Sequence, residues 1–266
     1  MDALRISFAF ASAALRTEVQ YRLNLLLGIG VGLAFQITGF LFIWVVLSRF
    51  HSLGGWSLGD IAFLYGLRLT AHGLWLIPLN RLVELDEEVR QGRFDVYLVR
   101  PLNPLLQFTT IRFRINVLGD VVGGVVLFAA ATRLVGIDWS PPAVGYLALA
   151  LIGGAALEGS LQLACSAMAF RWLDTWGLRL MLDDVFSNFG NYPLHIFGGV
   201  SQWLLTFVLP LAFVAYLPAT VLLHRTGELS IHPLFAYLAP LVGAACFIAA
   251  CCFWMRQMRN YQSSGH

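Results

Sequence analysis

Apolar runs of membrane-crossing length alternate with short polar breaks along this chain, and one charged island interrupts the pattern in its first half. A helix needs about 20 apolar residues to cross a bilayer. The pattern predicts spans at about Leu23 to Leu47, Leu58 to Leu79, Ile115 to Thr132 and Ala143 to Phe170. A fifth begins near Val185, and a sixth covers about Leu234 to Met255. The stretch Val185 to Leu223 is too long for one simple helix and contains Pro193, Pro210 and Pro218. Proline interrupts helical hydrogen bonding. One span followed by a broken or re-entrant outer piece is therefore expected, a backbone tolerated at membrane depth where protein or a cavity surrounds it. The pattern predicts an all-α membrane protein of six spans, built as a single domain over residues 1–266.

Ahead of the first span, Arg5, Ser12, Arg16 and Gln20 fall near one side of a helix, and Leu4, Phe8, Ala11 and Leu15 near another. An interfacial helix over residues 1–21 is predicted; the other reading is a first span that starts early. Arg5, Arg16 and Glu18 among these residues leave no compact apolar core before a small-residue cleavage site, so no cleavable signal peptide is expected. Orientation follows from arginine counting. With the N-terminus inside, the inner side receives Arg5, Arg16, Arg22, Arg81, Arg90, Arg93, Arg100, Arg171, Arg179, Arg256 and Arg259, with Arg112 and Arg114 at the mouth of the third span. The outer side receives Arg49, Arg133 and Arg225. That bias predicts cytoplasmic termini and a cytoplasmic island.

The island, residues 80–104, reads NRLVELDEEVRQGRFDVYLVRPLNP. Arg81 to Gln91 has the pattern of a short amphipathic helix. Leu82, Leu85 and Val89 form its apolar stripe, and Glu84, Glu87, Glu88 and Arg90 face water. Asp86 and Arg90 stand at i,i+4, a favourable pair, and Gly92 supplies a stop. Phe94, Val96, Tyr97 and Leu98 then keep the segment apolar up to Arg100-Pro101, and Pro104 precedes the return into the membrane. Two readings stand side by side: a helix whose narrow stripe suits a groove on another protein, or a solvated loop against lipid headgroups.

Composition narrows the picture. The chain is 58% hydrophobic and 12% charged, with mean hydropathy +0.73, which excludes an ordinary water-soluble domain. Every basic residue is arginine. A P-loop needs its lysine to reach the β- and γ-phosphates, so no standard ATP-binding cassette lies in this chain. Cys165, Cys246, Cys251 and Cys252 lie in apolar runs without metal spacing and read as small hydrophobes. His51, His195, His224 and His232 show no ligand pattern. Gly28, Gly30, Gly32, Gly123 and Gly124 read as close-packing positions between helices. The amphipathic piece Arg171 to Asp184, with Trp172 and Trp176, reads as an aromatic anchor at the inner surface.

Several polar residues fall inside predicted spans. Arg112, Asn116 and Asp120 share a face of the third, Arg68 and His72 a face of the second, and Glu158 lies in the fourth beside Ser160 and Gln162. A charge at a helix centre costs about 2.5–3.5 kcal/mol on insertion scales, so these groups must face protein or water. They form either a polar path or proton relay, or paired charges that glue helices together. The gluing role is favoured, with Arg68 paired to Glu158 or Asp120.

The run G-R-F-D-V-Y-L-V-R-P-L-N-P, Gly92 to Pro104, resembles a signature of permease subunits of type-2 ABC transporters, in the bacterial group once filed as a family of unknown function. Asn191-Tyr192-Pro193 and PLAFVAYLPA, Pro210 to Ala219, resemble it too. The resemblance implies an export permease of the bacterial inner membrane, with no enzymatic activity or cofactor of its own. Two permease halves, alike or different, would form the pathway in the lipid, and two separate ATPase subunits would bind ATP and magnesium. It implies a coupling helix over Leu82 to Gln91, meeting the ATPase through Leu82, Glu84, Leu85, Asp86, Glu88, Val89 and Arg90. Gly92, Asp95, Tyr97, Arg100, Pro101, Asn103 and Pro104 would form the linking motif. No nucleic-acid partner is implied. The rival is a proton-coupled secondary transporter using Asp120, Glu158 or His72, which leaves the island without a use. An intramembrane enzyme ranks last, because no paired acids, Ser/His dyad or metal motif stands at matched depth.

Overall fold

The structure, a computed structural model, describes residues 22–50, 52–110, 118–172 and 174–262. The predicted interfacial helix over residues 1–21 lies outside them, as does the opening of the predicted third span with Arg112, Arg114 and Asn116. Among the described residues the chain is helical, and extended pairing is confined to an isolated bridge between Leu53 and Trp56.

Helix α1 (Arg22–Phe50) covers the first predicted span, and α2 (Leu58–Leu79) has the predicted limits of the second. Local chemistry fixes where α2 starts. The Ser57 hydroxyl accepts from the Asp60 N–H at 3.3 Å, while the Asp60 carboxylate accepts from the Ser57 N–H at 2.9 Å, so two orphan donors are met reciprocally. A 3₁₀ turn (Asn80–Glu84) leads into α3 (Leu85–Arg90), followed by α4 (Asp95–Leu98) and α5 (Pro104–Thr110). Helix α6 (Leu118–Ala131) precedes α7 (Pro141–Ala167), which opens on two prolines, where a missing N–H is harmless. Next come α8 (Ala169–Trp172), α9 (Trp176–Phe189), α10 (Gly199–Trp203), α11 (Tyr216–Leu222), α12 (Leu234–Tyr237) and α13 (Ala239–Met258).

Among the described residues, two helices are long and apolar enough to cross a membrane, Pro141–Trp172 and Ala239–Met258. A third is added when Gly199–Val208 and Leu211–Leu222, bent by 73° at the break, count as one. Shorter apolar runs lie at Leu26–Leu41 and Val121–Ala131. The bend falls at Leu209-Pro210, where the helix gives way to a π turn (Leu204–Val208) and then a 3₁₀ turn (Leu211–Phe213). Pro210 has no N–H to continue the ladder.

One boundary differs from expectation. No break separates an amphipathic anchor ending at Asp184 from a span starting near Val185, because α9 runs through both. Arg179, Leu182 and Phe186, spaced three and four apart, are all buried along this one helix. Trp172 and Trp176 are exposed.

Helix α2 packs between α6 and α7, while α1 lies on α6 and α13 on α7. The α7–α13 seam is the tightest of these approaches at Gly153 and Gly243, where a β-carbon on Gly243 would collide with the Gly153 carbonyl. Such contact needs residues without side chains. Gly124 abuts the backbone of Leu69 and Thr70, whereas Gly30 faces open space.

Two apolar clusters divide the interior. The first takes Ile61 to Leu69 and Ala71 from α2 together with Leu157, Phe186 and the broken segment Leu211–Leu217. The second takes Trp75 and Leu79 from α2, Leu163 and Ala167 from α7, and the aromatic rings Phe94, Phe108, Phe170 and Trp254. Arg68, His72 and Glu158 stand at the seam between them.

Candidate functional site

The charged island is folded onto its own chain. Leu82, Leu85 and Val89 are buried in the second cluster, Leu85 at 0% exposure. The expectation that this stripe lies in a partner's groove is thereby corrected, because Trp75, Phe94, Phe170 and Trp254 already belong to the cluster that covers it. An acid at Leu85 reports on folding and not on docking. Asp86 and Glu88 are buried as well. Asp86 does not pair with Arg90; it accepts from the Thr175 N–H at 3.0 Å, the Thr175 hydroxyl at 2.8 Å and Arg179 at 3.2 Å. Glu88 does not face water, standing 3.4 Å from Arg93 and 3.7 Å from Arg81. The predicted single helix from Arg81 to Gln91 is a 3₁₀ turn followed by α3.

Arg179, which the sequence placed only on the inner side and in the amphipathic piece, is the residue that anchors the island. Besides Asp86 it donates to the Leu82 carbonyl at 2.6 Å and the Val83 carbonyl at 3.2 Å, so one guanidinium closes the end of the 3₁₀ turn and joins it to α9. Arg81 works on the other flank. It donates to the Phe108 carbonyl and the Tyr97 hydroxyl, both at 2.8 Å, and lies 4.5 Å over the Phe108 ring.

The linking motif is also built into this scaffold. Gly92 takes φ of 67°, the left-handed region where a β-carbon is disfavoured. Its N–H donates to the Val89 carbonyl, and the Phe94 N–H reaches back to the Glu88 carbonyl at 3.2 Å, which closes the helix end. Phe94 is thereby dropped into the ring cluster of Tyr97, Phe108, Phe170, Trp254 and Tyr261. Asp95 stands in the first turn of α4. Asn103 caps α5, its side-chain Oδ1 accepting from the Leu105 N–H at 2.9 Å, and Pro104 begins the helix. Gln107 donates to the carbonyls of Tyr97 and Leu102. Gly92→Ala is expected to cost about 1–2 kcal/mol and to lower the unfolding midpoint in detergent by a few degrees. A midpoint equal to that of the unaltered chain overturns this reading of the turn.

What faces outward is a different set. Val83, Val96 and Leu98 are about half exposed, Val99 is 81% exposed, and Arg90, Arg100 and Pro101 are exposed beside them. Glu84 and Glu87 are partly exposed. Glu87 pairs with Arg90, and its hydrogen bond and charge hold that guanidinium above its ordinary pKa.

Within the bundle, Arg68 stands 3.5 Å from Glu158, and His72 contacts the same carboxylate oxygen. The second Glu158 oxygen and Arg68 Nε have no hydrogen-bond partner among the described residues. Next to them, Gln162 donates to Asp183 at 2.5 Å, tying α7 to α9. Asp120 lies on α6, and its side chain, like Asn116, falls outside the described residues. Away from this layer, His195 contacts the Gly54 carbonyl at 2.7 Å and Tyr216 at 3.3 Å. Arg225 reaches Asp60 and Glu228 there, so these groups hold loops together. Among the described residues no group of His, Cys, Asp and Glu has the arrangement of a metal site.

A family model described as ABC-2 family transporter protein matches residues 33–265. No curated protein and no solved structure matches the chain.

Proposed function

The chain belongs to the ABC-2 family of transporter proteins, and from that premise we propose that it is the permease subunit of an ATP-driven exporter, forming half of the translocation pathway. Membership in that family and the apolar helices make it an integral membrane protein, a transport component that works with an ABC ATPase. The finer reading is six spans in a bacterial inner membrane, with both termini and the island cytoplasmic. A second permease subunit completes the pathway, and ATP with magnesium is bound and hydrolysed on separate subunits.

The observation that supports it is the anchoring of the island. A mobile loop absorbs a push. A segment whose inner face is packed into the bundle, and whose Asp86 and Arg179 tie it to α9, delivers a push to the helices. Its outer face, Val83, Val96, Val99, Arg90 and Arg100, is left for the ATPase, in place of the buried stripe. ATP-driven closure of the partner subunits would press there and tilt the spans. The rival proton-coupled transporter draws on the contact of His72 with Glu158, but it gives the anchored island nothing to do.

The test is affinity capture of the tagged chain in mild detergent, followed by an ATPase assay. The unaltered chain is expected to bring down an ATP-hydrolysing subunit. Val96→Asp and Val99→Asp are expected to recover about a tenth of it or less, with an unchanged unfolding midpoint because neither side chain is buried. Full recovery with both variants places the contact elsewhere. Absence of an ATPase from the unaltered chain under several mild conditions overturns the proposal.

A further inference from the structure

A cleft of about 520 Å³ opens between α1, α2 and the end of α9. Six polar residues line it: Gln36, Tyr65, Arg68, His72, Ser187 and Asn191. Two neighbouring cavities have a different character. One of about 470 Å³ beside Trp75, Pro78 and Phe247 and one of about 220 Å³ along α1 and α6 are walled almost wholly by apolar side chains. Polar groups at membrane depth are expensive, and their gathering on one wall asks for a ligand or water.

The wall has a sign. Among the described residues, Arg68 is its permanent charge and no acid lines it. Two described acids nearby stand outside the lining, Glu158 engaged by Arg68 and His72 and Asp183 by Gln162. Arg68 is 4% exposed and its Nε has no hydrogen-bond partner among the described residues. Glu158 meets the guanidinium only through a terminal nitrogen, at 3.5 Å. A buried donor left unmet costs about 1–3 kcal/mol, and a guanidinium edge is shaped for the paired oxygens of a carboxylate or phosphate. At the α9 side of the cleft the Ser187 hydroxyl and the second amide hydrogen of Asn191, whose Nδ2 already donates to the Ser187 carbonyl at 2.7 Å, are the donors for the remaining oxygens.

We propose that this cleft binds the anionic oxygen group, phosphate or carboxylate, of a larger molecule, with Arg68 as its principal contact and His72, Ser187 and Asn191 around it. A cleft of this volume holds more than a bare ion and falls in the size range of small-molecule sites. That the bound molecule is the cargo rests on the permease reading; the binding itself rests on the cleft.

The experiment uses the full chain in nonionic detergent, with octyl phosphate, octyltrimethylammonium and inorganic phosphate as probes, read by calorimetric titration and thermal shift. Octyl phosphate is expected to bind saturably and octyltrimethylammonium not to bind. Saturation by inorganic phosphate as well identifies a free anion as sufficient; saturation by octyl phosphate alone identifies an amphiphile. Both outcomes support the site. Arg68→Gln is expected to abolish the signal. Because that change also strips Glu158 of a partner, the double variant Ser187→Ala with Asn191→Ala serves as the second test. It leaves Arg68, His72 and Glu158 in place and is expected to weaken octyl phosphate about tenfold. Equal response to both octyl probes, or unchanged affinity in the double variant, overturns the proposal. No ATPase enters the assay, so octyl phosphate binding by a chain that captures no ATP-hydrolysing subunit keeps this site while removing the permease reading.

Discussion

Arg179→Ala is expected to cut the charged island loose from α9. The guanidinium is buried and donates to Leu82, Val83 and Asp86. Its removal strips the Val83 carbonyl of its side-chain donor, leaves the Leu82 carbonyl with the Leu85 N–H alone, and leaves Asp86 as a buried anion held by the neutral donors of Thr175. Breaking a buried pair from one side costs about 3–5 kcal/mol. The loss is local, because the Leu85 and Val89 side chains still have their apolar cluster. Limited trypsin digestion reads it directly, since Arg90 and Arg93 lie in the segment released, Arg100 being shielded by Pro101. Cleavage there is expected to accelerate about a hundredfold. Asp86→Ala with Arg179→Ala is expected to recover part of the protection by removing the stranded charge. Cleavage at the unaltered rate in Arg179→Ala shows that other contacts hold the island and removes the mechanical basis of the coupling proposed above.

Glu158→Ala carries the second large effect. Glu158 is 1% exposed and is the described acid beside both Arg68 and His72. Without it Arg68 is a buried, unpaired cation at membrane depth, at a cost of about 3–5 kcal/mol. Unfolding in mixed detergent micelles measures that loss. Arg68→Leu with Glu158→Leu removes both charges and is expected to regain most of it. This double variant also separates the two roles foreseen for intramembrane charges. If it is stable and still supports ATP-dependent transport, the pair is glue between α2 and α7. If it is stable and transport is lost, the charges act on the passing molecule. A single Glu158→Ala variant as stable as the unaltered chain overturns the gluing role.

Much of this molecule was legible along the chain, and the reason is locality. The start of α2 follows from Ser57 and Asp60, three residues apart and within one turn of the helix they open. The proline positions foretold the bend before Leu211, since a missing N–H acts where it stands. The stripe Leu82, Leu85 and Val89 was visible too, but periodicity states that a face is apolar and not what covers it. The cover comes from rings as distant as Trp254, and no spacing rule links them. Asp86 and Arg179 are likewise 93 residues apart in the chain, so Asp86 was assigned the cation one turn away, Arg90, which instead pairs with Glu87. Polar-looking motif residues misled in the same direction. Tyr97 and Asn103 spend their hydrogen bonds inside the chain, and the outward face is left to valines and arginines that form no pattern.

Gly153 and Gly243 bring α7 and α13 together backbone to backbone. Side chains that interdigitate can change rotamer and let two helices slip; a joint without side chains offers no such ratchet. These two helices therefore form one strut, and on the permease reading proposed above any stroke is taken up at the other seams, where α1, α2 and α9 meet around polar groups.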